Sequence, residues 1–162
     1  MRKSPYMSPM ERWHDQRQAI NQLHFVYQWL RRTLPKLARR VTADPVVQVL
    51  EAHRLSVKRI DERLKLAAHH HGQPPQPCFN ETANTLLSEF YAAERKAPRA
   101  ERAGVVVKSL QLVREYLLET WNRLNDTLTE DENGFRNEVK ALMRQEEELY
   151  KELVALRERV GR

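Results

Sequence analysis

Residues 135–160 read FRNEVKALMRQEEELYKELVALRERV, and the placing of their apolar side chains decides the fold class. Phe135, Val139, Leu142, Leu149, Leu153, Leu156 and Val160 recur at steps of three and four, with Glu146 in the same row. Such spacing draws one apolar seam down an α-helix, the signature of a helix packed lengthwise on others. Upstream, Thr129 and Glu132 have the spacing of a capping box, and Gly134 weakens the first turns.

The same pattern occurs three more times. A helix opening at Ser8-Pro9 carries Trp13, Gln16, Ile20, Leu23, Tyr27, Leu30, Leu34 and Leu37; Ser8 is a cap, and proline suits the first turn. A second, opening at Asp44-Pro45, carries Val46, Leu50, His53, Val57, Ile60, Leu64 and Ala67, and should stop at Gly72 after the run His69, His70, His71. A third, from about Arg99 to Leu128, carries Ala103, Val106, Leu110, Val113, Leu117, Thr120 or Trp121, and Leu124. Between the second and third lie a proline-rich stretch, Gln73 to Pro77, and a short helix from about Glu81 to Arg95 with Leu86, Leu87, Phe90 and Tyr91 on one face.

These readings predict an all-α fold: a four-helix bundle of two antiparallel hairpins joined by a proline-rich crossover and a short extra helix. Residues 1–8 are expected to be a flexible N-terminus and residues 9–160 a single bundle domain. Only four glycines in 162 residues agree with a helical chain. No apolar run approaches the length of a membrane span. The lone cysteine, Cys78, has no internal disulfide partner, and a cytoplasmic setting is expected.

Catalytic signatures are missing: no nucleophile elbow and no glycine-rich phosphate loop. Trp13, Trp29 and Trp121 read as packing residues. The net charge of +6 admits an anionic partner, and Arg31, Arg32, Lys36, Arg39 and Arg40 form the densest basic patch. The same cations also complement a helix C-terminus. Nucleic-acid binding therefore stands as an alternative to a solvated helix face.

The informative residues are polar ones in the inward stripes, Tyr27, His53 and Glu146. A buried carboxylate needs a partner, a proton or a metal. Either the three form a hydrogen-bonded core cluster, or Glu146 and His53 are weak ligands of a metal such as iron or manganese. The inward stripes carry no Glu-x-x-His pair, which di-metal bundles use. The histidine run reads as a solvated helix end, and Glu147, Glu148 and Glu152 as outward residues paired to Arg144 and Lys151.

Leu34-Pro35-Lys36-Leu37-Ala38, closing the helix that contains Tyr27-Gln28-Trp29-Leu30, resembles the YciE/YciF group of bacterial ferritin-like stress proteins. That family closes its first helix on LPKLA or LPKMA. His53 and Arg63-Leu64 fit its H-L-x-E-T-x-x-Q-x-x-R-L pattern, Cys78 its K-C-x-x-M segment, and Val113 to Leu118 its V-E-H-Y-E-I segment. The resemblance spans about residues 20 to 158 and implies a ferritin-like fold, a stress-response role and a homodimer. It also implies carboxylate ligands that this chain lacks: their positions hold Tyr27, Ser56, Arg114 and Leu117, and only Glu146, after Gln145, stays acidic. The function so implied is a non-catalytic bundle without a cofactor, acting by self-association; a metal-binding oxidase is the alternative.

Overall fold

The computed structural model describes residues 7–160, and every regular element among them is helical. Residues 1–6 of the expected flexible N-terminus lie outside the described residues. The elements are α1 (Pro9–Arg40), α2 (Asp44–His70), α3 (Glu81–Lys96), α4 (Arg102–Thr127) and α5 (Asn133–Val160). A single 3-10 turn, Glu130–Glu132, leads into α5.

The helix boundaries follow from local chemistry. Ser8 caps α1 with a full capping box to Glu11, and the helix runs unbroken through Pro35 to Arg40. Ala43, not Asp44, is the α2 cap, and Asp44 and Pro45 are inside the first turn, where the N–H that proline lacks would have no partner within the helix. At the other end of α2, Gly72 takes φ +85, a left-handed conformation that closes the helix and turns the chain toward Gln73. Asn80 caps α3 through the Ala83 N–H at 2.7 Å. The Thr129–Glu132 capping box forms as its spacing predicts, on the 3-10 turn and not directly on α5.

The three-residue link between α1 and α2 makes them an antiparallel hairpin, and α4 with α5 forms a second. α1 packs on α4 and α2 on α5, while the shorter α3 lies against α4. The centre is filled by Ile20, Leu23, Leu30, Leu34, Leu50, Val57, Ile60, Leu64, Leu110, Leu117, Leu142 and Leu153, all buried and all predicted by the seams. Burial of each is worth roughly 1.5–3 kcal/mol before conformational entropy is charged against it. Trp121 and Trp29 pack as expected, the latter edge-on to Phe90 at 5.2 Å. Trp13 does not: it is 44% exposed near the start of α1, beside His71.

Candidate functional site

Halfway along the helices the seams admit a polar network with at least one residue from each of the four long helices. Glu146 of α5 is 0% exposed and Arg114 of α4 only 1%. Arg114 Nη1 donates to both carboxylate oxygens of Glu146, at 2.9 and 3.0 Å. Tyr27 of α1 donates its hydroxyl to Glu146 Oε1 at 2.6 Å and accepts from Trp121 Nε1 at 2.8 Å. Arg114 Nη2 lies 3.2 Å from His53 Nδ1 of α2. Arginine has no acceptor, so Nδ1 must accept, and the ring proton sits on Nε2. That proton is donated to Glu152 Oε2 at 2.9 Å, where the chain of bonds reaches the surface.

The electrostatics follow from this geometry. Burial pushes the Glu146 carboxyl upward, and Arg114 and Tyr27 pull it partly back. Burial, then the Glu146 charge, raises the Tyr27 phenol well above its ordinary value. His53 falls to about 3, first because it is buried and then because Arg114 faces it. The network thus holds a neutral imidazole, a neutral phenol and one ion pair. Arg114 Nε has no partner, a standing cost of the arrangement.

Of the three core polar residues expected from the sequence, Tyr27 and Glu146 bond directly, and His53 joins them only through Arg114. Ser56 is half-buried and takes no part. Arg114, which entered the sequence analysis only as the residue at a ligand position of the family it resembles, is the hub of the cluster. Glu152 is exposed, as expected, but its carboxylate pairs across the helix interface with His53, while Lys151 pairs with Glu148 at 3.5 Å.

A second buried carboxylate had no place in the sequence reading. Asp61 on α2 is fully buried against α1 and receives His24 Nδ1 at 2.8 Å, Gln28 Nε2 at 2.5 Å and Arg31 Nη1 at 3.0 Å. Burial raises its carboxyl, but bonds from His24, then Arg31 and Gln28, outweigh this and hold it below the usual range. The signal was available: His24, Gln28 and Arg31 stand at steps of four and three, a polar stripe on one face of α1.

The histidine run divides. His69 and His70 are exposed, whereas His71 stacks on Phe135 at 4.2 Å and bonds Gln16 and Glu132, both at 3.0 Å. It pins α1, α2 and the start of α5 together, so it is no solvated terminus. Beside it lies a groove of about 590 Å³ lined by Leu66, His70, Phe135 and Glu138, among others. The groove sits at the end of the molecule, far from Glu146. In the basic patch, Arg31 is occupied by Asp61 and Arg40 by Glu94 at 2.8 Å, while Arg32, Lys36 and Arg39 remain exposed.

The donor set does not fit a metal. Both oxygens of Glu146 and the inner nitrogen of His53 face one guanidinium, so the position a cation would take already carries a positive charge. No group of three His, Cys, Asp or Glu among the described residues could hold an ion. One Glu-x-x-His pair exists, Glu11 and His14, but both are exposed in the first turns of α1, and Glu11 belongs to the cap.

No protein-family model matches the chain, and no curated protein matches it in sequence. Among solved structures, it is similar to YcfI from Rhodopseudomonas palustris, described as a proposed structural protein. The TM-score is 0.77 with 19% identity, over 93% of this chain and 96% of that one. At that identity the likeness is one of fold. No helix among the described residues is long and apolar enough to cross a membrane.

Proposed function

We propose that the protein is a non-catalytic, ferritin-like helical bundle that acts by self-association as a homodimer. Its pairing order supports the ferritin-like assignment: two hairpins, with a crossover from α2 to α4 that carries the extra helix. The observation that carries the non-catalytic reading is the Arg114 guanidinium on both oxygens of Glu146. A di-metal bundle gathers carboxylates around cations; here a side chain supplies the cation, and Tyr27 adds a further bond to Glu146 Oε1. The description of YcfI as a proposed structural protein agrees with a role without chemistry. The stress-response assignment rests on the sequence resemblance alone, as does the homodimer.

Metal analysis of the purified protein tests this directly. The expected result is less than stoichiometric iron or manganese, equal in wild type and in Glu146→Ala. Stoichiometric metal that disappears in Glu146→Ala would overturn the non-catalytic reading in favour of a metal-binding one. Sedimentation analysis checks the second half, and a protein that stays monomeric at high micromolar concentration removes self-association.

A further inference from the structure

The net charge is not spread evenly, and the fold gathers it where one helix alone could not. Arg40 at the end of α1 and Arg102 at the start of α4 flank Glu94 near the end of α3, at 2.8 and 3.9 Å. Val160, at the end of α5, packs beside Gly104 in the first turn of α4. Four helix ends therefore meet at one pole of the molecule, joined there by the start of α2. The stretches 36–44, 94–102 and 157–160 bring to it nine Lys and Arg against four carboxylates, one of which, Glu94, is buried between Arg40 and Arg102. At the opposite pole, stretches 8–17 and 123–138 carry seven Asp and Glu against four Arg. The poles are about 40 Å apart, several times the roughly 8 Å screening length at physiological salt, so an approaching ligand meets each separately.

We infer that this basic pole, presented by Lys36, Arg39, Arg95, Lys96, Arg99 and Arg159, is a binding surface for the phosphate backbone of duplex nucleic acid, independent of sequence. All six side chains are exposed, and none has a carboxylate partner within ion-pair distance among the described residues. The inference goes beyond self-association and uses none of the buried network. It also redraws the patch suggested by α1 alone. Arg31 and Arg40 are consumed by internal pairs, and the ends of α3, α4 and α5 replace them. A lipid surface is the poorer occupant, because a surface helix binds lipid through an apolar face beside its cations. The large exposed apolar residues, such as Met10, Leu55, Leu66 and Phe79, all lie outside the three basic stretches.

Fluorescence anisotropy with a labelled duplex of about 24 base pairs tests the surface, using the full chain. Neutralising about five phosphates predicts a log–log salt slope near −4.5, or about 500-fold weaker binding at 200 mM than at 50 mM salt. The variant Arg95→Gln/Lys96→Gln/Arg99→Gln should lose about three units of that slope. A second variant on other helices, Lys36→Gln/Arg159→Gln, should lose about two. Lys58→Gln/Lys65→Gln, on the outer face of α2, should bind as wild type does. Circular dichroism identifies any variant that has not folded. No binding at 50 mM salt overturns the inference. So do pole variants that keep the wild-type slope, and capture by phosphatidylserine vesicles without binding to the duplex.

Discussion

Replacing Arg114 by Met isolates what the buried ion pair does. The substitution keeps most of the side-chain volume and removes the guanidinium, so Glu146 is left in an apolar centre with Tyr27 as its remaining partner. Breaking a buried pair from one side costs about 3–5 kcal/mol, because the surviving charge is uncompensated. A 162-residue chain unfolds with an entropy of about 0.34 kcal/mol/K, so 4 kcal/mol corresponds to a Tm lower by about 12 °C. Glu146→Gln should be similarly harmful, since it leaves the buried Arg114 charge uncompensated; a lone buried carboxylate would have predicted the opposite. The double variant Arg114→Met/Glu146→Gln removes both charges and keeps an acceptor for Tyr27, so it should lie within about 1–2 kcal/mol of wild type. Chemical denaturation of the four proteins closes a double-mutant cycle, with an expected coupling of about 4 kcal/mol or more. Single variants that each melt within a degree or two of wild type would refute the reasoning, because the pair would then be solvated.

The pH dependence of stability has a definite sign. His53 titrates near 3 when folded and near 6.5 when unfolded. Between those values the unfolded chain binds the extra proton, so stability falls as pH falls, by about 2 kcal/mol from pH 6.5 to 4.5. Denaturation across that range should show the loss in wild type but not in His53→Gln. Asp61, held below its ordinary value, works at lower pH: its contribution is complete above about pH 4 and is lost as pH falls further. Asp61→Leu should cost about 2–3 kcal/mol at pH 7 by leaving His24, Gln28 and Arg31 without their acceptor, and an unchanged melting curve would count against that packing. Gly72→Ala places a Cβ 3.8 Å from Trp13, an ordinary contact, so its cost of about 1–2 kcal/mol should come from the φ of +85. Asn, which tolerates that conformation better, should recover part of it.

The helices were legible because their signal is local. A seam such as Phe135 to Val160 repeats its period seven times, and each cap is read from four residues. The centre was only half legible. Glu146 was found because a charge between Leu142 and Leu149 contradicts its own stripe. Arg114 was passed over because Val113, next to it, satisfied the apolar period of α4. Its significance is a matter of tertiary pairing, since its partners Glu146 and His53 lie 32 and 61 positions away. The pairing of the exposed Glu152 with His53 was hidden for the related reason that a side chain long enough to pair along its own helix can also reach across to the next. The positions marked by the family resemblance, Tyr27, Arg114 and Glu146, coincide with three members of the network, but the resemblance gave no account of their bonds to one another.

The network of Tyr27, His53, Arg114 and Glu146 also acts as an alignment key. Apolar seams made of Leu, Ile and Val pack almost as well after one helix slides along its neighbour, so they define a face but only weakly a height. A slip of one turn, about 5.4 Å, would leave every seam apolar but carry Arg114 beyond reach of Glu146 and leave two buried charges unpaired. Each long helix contributes a side chain to the network, so one interlocked set of bonds fixes the height of all four at once. A chain relieved of this cluster, as in the double variant, should keep its helices and much of its melting temperature. It should lose uniqueness first, visible as broadened side-chain NMR resonances before any loss of helical circular dichroism.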